Sequence, residues 1–67
     1  MEDIRQRIGE RIRKIRKEKE ISQEKLAFCS GLNRTYISLV ERGESNPSIL
    51  SLERIAKGLG VNIKELL

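Results

Sequence analysis

A chain of 67 residues has room for one small domain, and a domain of that size buries a modest share of its surface and gains from associating with a copy of itself. Hydrophobic residues make up 37% of it, and Phe28 and Tyr36 are the only aromatics, so the core must be aliphatic. The net charge of +4 favours polyanionic partners, while one cysteine and no histidine exclude an internal disulfide and remove the commonest metal ligand and proton shuttle.

The surplus of positive charge sits at the start. Residues 1–20 hold eight Lys or Arg against five acids, whereas residues 43–67 balance three against three. Met1 is followed by acids and no apolar run approaches a membrane span, so neither a secretory leader nor a membrane partner is expected, and a reducing cytoplasm suits the lone Cys29. Ile4, Ile8, Ile12 and Ile15 fall three or four apart and predict a first helix over 4–19. A basic helix lying on a membrane wants an aromatic anchor; four isoleucines in a narrow stripe suit packing onto a core instead.

Four further starts follow from caps, each a Ser or Asn flanked by a residue that packs before it and another five positions on. Ile21, Ser22 and Leu26 open helix 2; Leu32, Asn33 and Ile37 open helix 3; Pro47, Ser48 and Leu52 open helix 4. Val61, Asn62 and Leu66 open helix 5, where Glu65 has capping-box spacing. Gly31, Gly43 and the pair Gly58 and Gly60 stand where helix ends often need a left-handed residue. Helix 4 packs through Leu52, Ile55, Ala56 and Leu59. The expectation is an all-α fold of five short helices in a single domain over 1–67, with no strand, repeat or linker.

Helices 2 and 3 have the composition of a helix-turn-helix. Two helices crossing steeply through a short turn need a small residue at the contact, Ala27, and a flexible one at the bend, Gly31, with Leu26, Ile37 and Val40 filling the angle. If Ile37 and Val40 point inward, Arg34, Thr35, Ser38 and Leu39 lie roughly 90° to 170° away. That face suits a major groove: Arg34 offers a forked donor to a guanine edge, Thr35 and Ser38 reach bases or phosphates, and Leu39 meets a thymine methyl.

The segments Ile21-Ser-Gln-Glu-Lys-Leu-Ala27, Gly31-Leu-Asn-Arg-Thr-Tyr-Ile-Ser38, Val40-Glu-Arg-Gly43, Asn46-Pro-Ser48 and Leu52-Glu-Arg-Ile-Ala56 resemble the Cro and phage-repressor helix-turn-helix family, the lambda-repressor-like fold, over about residues 5–67. Within it, Phe28 and the run Arg34-Thr-Tyr-Ile-Ser38 are similar to the controller proteins of restriction-modification systems. The resemblance implies a homodimeric regulator of transcription on a palindromic operator in double-stranded DNA. It implies base reading by Arg34, Thr35 and Ser38, backbone contacts from Gln23, Asn33, Tyr36, Arg42, Ser45, Asn46 and Ser48, and an ion pair between Arg16 and Glu41. For Gln23, its place among the free N–H groups that open helix 2 is an independent reason to expect a phosphate there. Leu59, Val61, Ile63, Leu66 and Leu67 fall within nine residues, too many for a short helix to bury, and are expected to form the two-fold contact.

Glu20 departs from the family, which commonly has glycine there, so helix 1 is expected to end in a left-handed residue or a different turn. Phe28 points away from Leu26 and Ser30 on a helical wheel and reads either as an isolated exposed aromatic or as a contact for a partner or second dimer. Cys29 reads as a small filler, and Gly58-Leu-Gly60 as a helix cap, since it lacks the strand and third glycine of a phosphate loop. An enzyme does not fit, for there is no histidine, zinc spacing, nucleophile elbow or Walker loop; a ligand-sensing repressor would need an effector domain, so no cofactor or small-molecule ligand is expected. The alternative is an antitoxin-type module that binds a partner protein and DNA secondarily, which shares the fold but would carry an added binding segment.

Overall fold

Residues 3–67 are described by a computed structural model; Met1 and Glu2, which bear on the expectation of no leader, lie outside them. They form α1 (Ile4–Glu18), α2 (Gln23–Ser30), α3 (Arg34–Glu41) and α4 (Ile49–Leu59), then a one-turn 3-10 helix over Ile63–Leu66. No strand occurs among the described residues.

The caps expected from sequence start these helices. Side-chain oxygens of Ser22, Asn33 and Ser48 accept the backbone N–H of Lys25, Thr35 and Ser51 at 3.0, 2.7 and 3.0 Å. Each bond satisfies one of the free donors of a first turn, a contribution of about 1 kcal/mol. The cap of α1 is an additional one: the Asp3 carboxylate accepts from the Arg5 N–H at 2.9 Å. Two further hydrogen bonds, from the Arg5 guanidinium, hold that carboxyl below its ordinary range.

The fifth helix is corrected to a single 3-10 turn. Its Asn62 and Glu65 brace each other, with Asn62 Oδ1 accepting from the Lys64 N–H at 2.9 Å and Glu65 Oε2 from the Asn62 N–H at 3.1 Å. One turn suffices, because it already carries Leu66 into the core, where that side chain is 0% exposed. The turn packs on α4 and α1.

The core is aliphatic. Ile12, Leu26, Ile37, Ile55 and Leu66 are wholly buried and Leu52, Ala56 and Leu59 nearly so. Truncating such a residue costs about 2–5 kcal/mol. The α1 stripe is shorter than expected: Ile8 and Ile12 are buried and Ile15 packs at the edge, but Ile4, one turn before the first core residue, is 60% exposed.

Two glycines allow close backbone approach. A Cβ on Gly9 would lie 2.4 Å from the Val40 carbonyl oxygen and 2.6 Å from that of Glu41, so α1 can sit against α3 only with glycine there. A Cβ on Gly58 would lie 2.5 Å from Ser30 Oγ. Gly58 is thus not the cap expected; it lies inside α4 where that helix crosses α2, and Gly60 supplies the left-handed cap.

Of the two outcomes open for Glu20, the chain takes the left-handed residue, φ 56°. A side chain there is strained by contact of Cβ with the backbone, whereas glycine adopts the conformation freely. Glu20→Gly is expected to stabilise the fold by about 0.5–1 kcal/mol, seen as a higher urea midpoint at unchanged slope. An unchanged or lower midpoint would show that the left-handed turn carries no removable strain.

Candidate nucleic-acid interface

Gly31, at φ 68°, ends α2 and turns the chain through Leu32 and Asn33 into α3. Ala27 is buried at the contact, with Leu26, Ile37 and Val40 filling the angle between the two helices. This buries one side of α3 and leaves Arg34 and Thr35 exposed and Ser38 and Leu39 half-buried. Gln23, Arg34, Thr35, Ser38 and Arg42 line one shallow groove, so the first residue of α2 and the outer face of α3 form a continuous polar surface.

That surface rests on a buried charge cluster. Arg16 Nε donates to Glu41 Oε2 at 2.7 Å and its Nη2 to Glu41 Oε1 at 3.0 Å, a forked pair whose side chains are 11% and 3% exposed. Arg16 Nη1 also donates to the Ile21 carbonyl at 2.8 Å, and Gln23 Nε2 to Glu41 Oε1 at 3.1 Å. The Glu41 carboxylate therefore fastens α1 and α2 to α3, and Arg16 fastens the turn after α1. The link from Gln23 to Glu41 is invisible in the sequence, because residues 18 positions apart carry no shared spacing signal. It orients the Gln23 amide while leaving its oxygen and second N–H for a ligand.

Other expected site residues lie elsewhere. Ser45, Asn46 and Ser48 are in the loop between α3 and α4, outside the groove. Ser48 is committed, its hydroxyl capping α4 and donating to Ser51 Oγ at 3.0 Å. Asn33 uses its side-chain oxygen on the α3 cap, leaving its amide donors. Tyr36 is half-buried with its ring against the core. Arg42 pairs with Glu44 at 3.1 Å, both side chains more than half exposed, an attachment worth under about 1 kcal/mol that an anion can displace.

Of the residues expected to meet a second copy, Leu59 and Leu66 are 2% and 0% exposed. They are corrected to core residues of the single chain, since the packing of α4 on α2 and of the 3-10 turn on α4 and α1 already covers them. Val61 and Ile63 are half-buried, and Leu67 is 46% exposed. Ile49 and Leu50, absent from the expected contact, are 79% and 59% exposed at the start of α4. The sequence does hold a signal for Leu50, which lies about 160° from Leu52 on a helical wheel, opposite the buried stripe; Ile49, about 60° from Leu52, carries no such signal.

The helix-turn-helix family profile matches residues 12–66. The control protein C.BamHI of Bacillus amyloliquefaciens is 52% identical over 66 residues, covering 97% of this chain and 82% of that protein. The restriction-modification controller C.AhdI of Aeromonas hydrophila superposes with a TM-score of 0.92 at 41% identity, over 94% of this chain and 96% of that one. The controller C.Esp1396I, solved as a tetramer with its natural 35-base-pair operator, superposes with a TM-score of 0.87 at 43% identity, over 98% and 97%. The chain belongs to the helix-turn-helix family of transcription regulators, with restriction-modification control proteins among its relatives.

A buried pair broken on one side leaves an uncompensated charge. Glu41→Ala is expected to lower stability by about 3–5 kcal/mol in urea denaturation, because Arg16 stays inside without its partner. A loss below about 1 kcal/mol, the value of an exposed pair, would show that the cluster does not hold the helices.

Proposed function

We propose that this chain is a sequence-specific regulator of transcription that binds a palindromic operator in double-stranded DNA as a homodimer, acting in the cytoplasm as a controller of the restriction-modification kind. The observation that carries this is the continuous groove joining Gln23 to Arg34, Thr35, Ser38 and Arg42 on the outer face of a helix-turn-helix. The similarity to a controller solved on its operator supports the same partner here.

In this reading α3 enters the major groove. Arg34 bonds a guanine edge through its fork, Thr35 and Ser38 supply short hydroxyls, and Leu39 packs on a thymine methyl. Gln23 holds a backbone phosphate at the start of α2, where free N–H groups and the positive helix end favour an anion. Arg42 exchanges Glu44 for a second phosphate, and Tyr36, Ser45 and Asn46 follow the same strand. Asn33 and Ser48 serve chiefly as helix caps.

Two copies are needed because one α3 reads only a few base pairs. The apolar side chains that can join them are Ile49 and Leu50 of α4 and Ile63 and Leu67 at the chain's end, with Val61 at the rim. A two-fold contact there would set the two α3 helices about 34 Å apart, one turn of duplex.

Selection of bound sites from random duplex DNA tests the reading: recovered sites should be two-fold symmetric with half-sites one turn apart. Arg34→Ala should then weaken the selected site by about 1–3 kcal/mol and relax preference at one base position, while Asn46→Ala weakens selected and random duplexes equally. Equal loss with Arg34→Ala on both would make it a phosphate contact. The Ile49→Asp/Leu50→Asp double variant should sediment as a folded monomer with greatly reduced operator affinity; a variant that still dimerises would place the contact elsewhere.

A further inference from the structure

Two clefts on this surface share a wall. The groove of α2 and α3 contains Gln23, Ser38 and Arg42, and the same three residues line a larger cleft toward α1. From α1 that cleft receives Arg13 and Lys17, both exposed and four positions apart, hence on one face. Among the described residues neither forms an ion pair. Arg16, beside them, is turned inward and fully engaged by Glu41 and the Ile21 carbonyl. Of the cleft's three acids, Glu41 is held by Arg16 and Glu44 by Arg42, while Glu10, three positions before Arg13 and seven before Lys17, forms an ion pair with neither. The cationic end of the stripe is the end that leads into α2 and Gln23.

We infer that Arg13 and Lys17 form a phosphate-binding shoulder, which neutralises backbone phosphates next to the one held by Gln23 and carries the footprint beyond the helix-turn-helix. The inference rests on the DNA-binding reading and adds a function for α1. Two mobile cations beside a fixed amide suit the purpose: Gln23 sets the register, and the longer side chains follow the strand without reading bases. The helix also contains its own control. Arg11 and Lys14 are equally exposed but line a separate groove with Ile15, Glu18 and Glu65.

The test compares wild type, the double variant Arg13→Gln/Lys17→Gln and the control Arg11→Gln/Lys14→Gln on one duplex recovered by site selection and one random duplex of equal length. With the shoulder variant, the slope of log affinity against log salt should become shallower by about 0.9 for each phosphate no longer neutralised, equally on both duplexes, while the control keeps the wild-type slope. Trimming the selected duplex from its ends should bring wild type to the slope of the shoulder variant and leave that variant unchanged. An unaltered slope in the shoulder variant, or an equal change in the control, overturns the shoulder while leaving the DNA-binding reading intact. A wild type that binds neither duplex with salt dependence overturns both.

Discussion

The arrangement of these helices depends on the Glu41 carboxylate. It accepts two hydrogen bonds from Arg16 and one from Gln23, while Arg16 reaches on to the Ile21 carbonyl just past the left-handed Glu20. Gly9 belongs to the same joint, since only its missing side chain lets α1 come within reach of the Val40 and Glu41 carbonyls. Taking two charges out of water is costly, so the joint is not the main source of stability; the aliphatic core supplies that. What the joint supplies is a fixed relation among three helices that apolar packing alone would leave freer to slide.

That fixed relation is what a reading surface needs. Arg34, Thr35 and Ser38 lie on a helix whose buried side is held by Ile37 and Val40 and whose last residue is Glu41 itself. Gln23, at the start of the preceding helix, is tied to the same carboxylate. The group suited to a phosphate and the groups suited to base edges therefore share one anchor, and binding need not order them. Flexible side chains, by contrast, sit where register is already set: Arg42, Arg13 and Lys17 are long, exposed cations around the rim.

Much of this is legible in the sequence because helix caps and apolar spacing are local signals. Ser22, Asn33, Ser48 and Asn62 each mark a start within a residue of where it occurs, and Leu26, Ala27, Gly31, Ile37 and Val40 define the helix-turn-helix. The end of the chain differs from expectation because a count of apolar residues does not say where each one points. Leu59 and Leu66 are drawn into the core by α4 and a single 3-10 turn, so that from α4 onward the exposed large apolar side chains are Ile49, Leu50 and Leu67. The Gln23 link and the roles of Gly9 and Gly58 depend on which helices cross, and spacing along one helix holds no record of that.

If one surface, anchored through Glu41, meets DNA, binding must register at the residues of that surface. The most direct measurement is a titration of isotopically labelled protein with a duplex recovered by site selection, following backbone amide shifts by nuclear magnetic resonance. The largest changes should map to Gln23, Arg34, Thr35, Ser38 and Arg42, with the amides around Phe28 and Cys29 on the exposed side of α2 little affected. Changes centred on Phe28 and Cys29, with α3 unperturbed, would contradict it and point to that side of α2 as the binding surface.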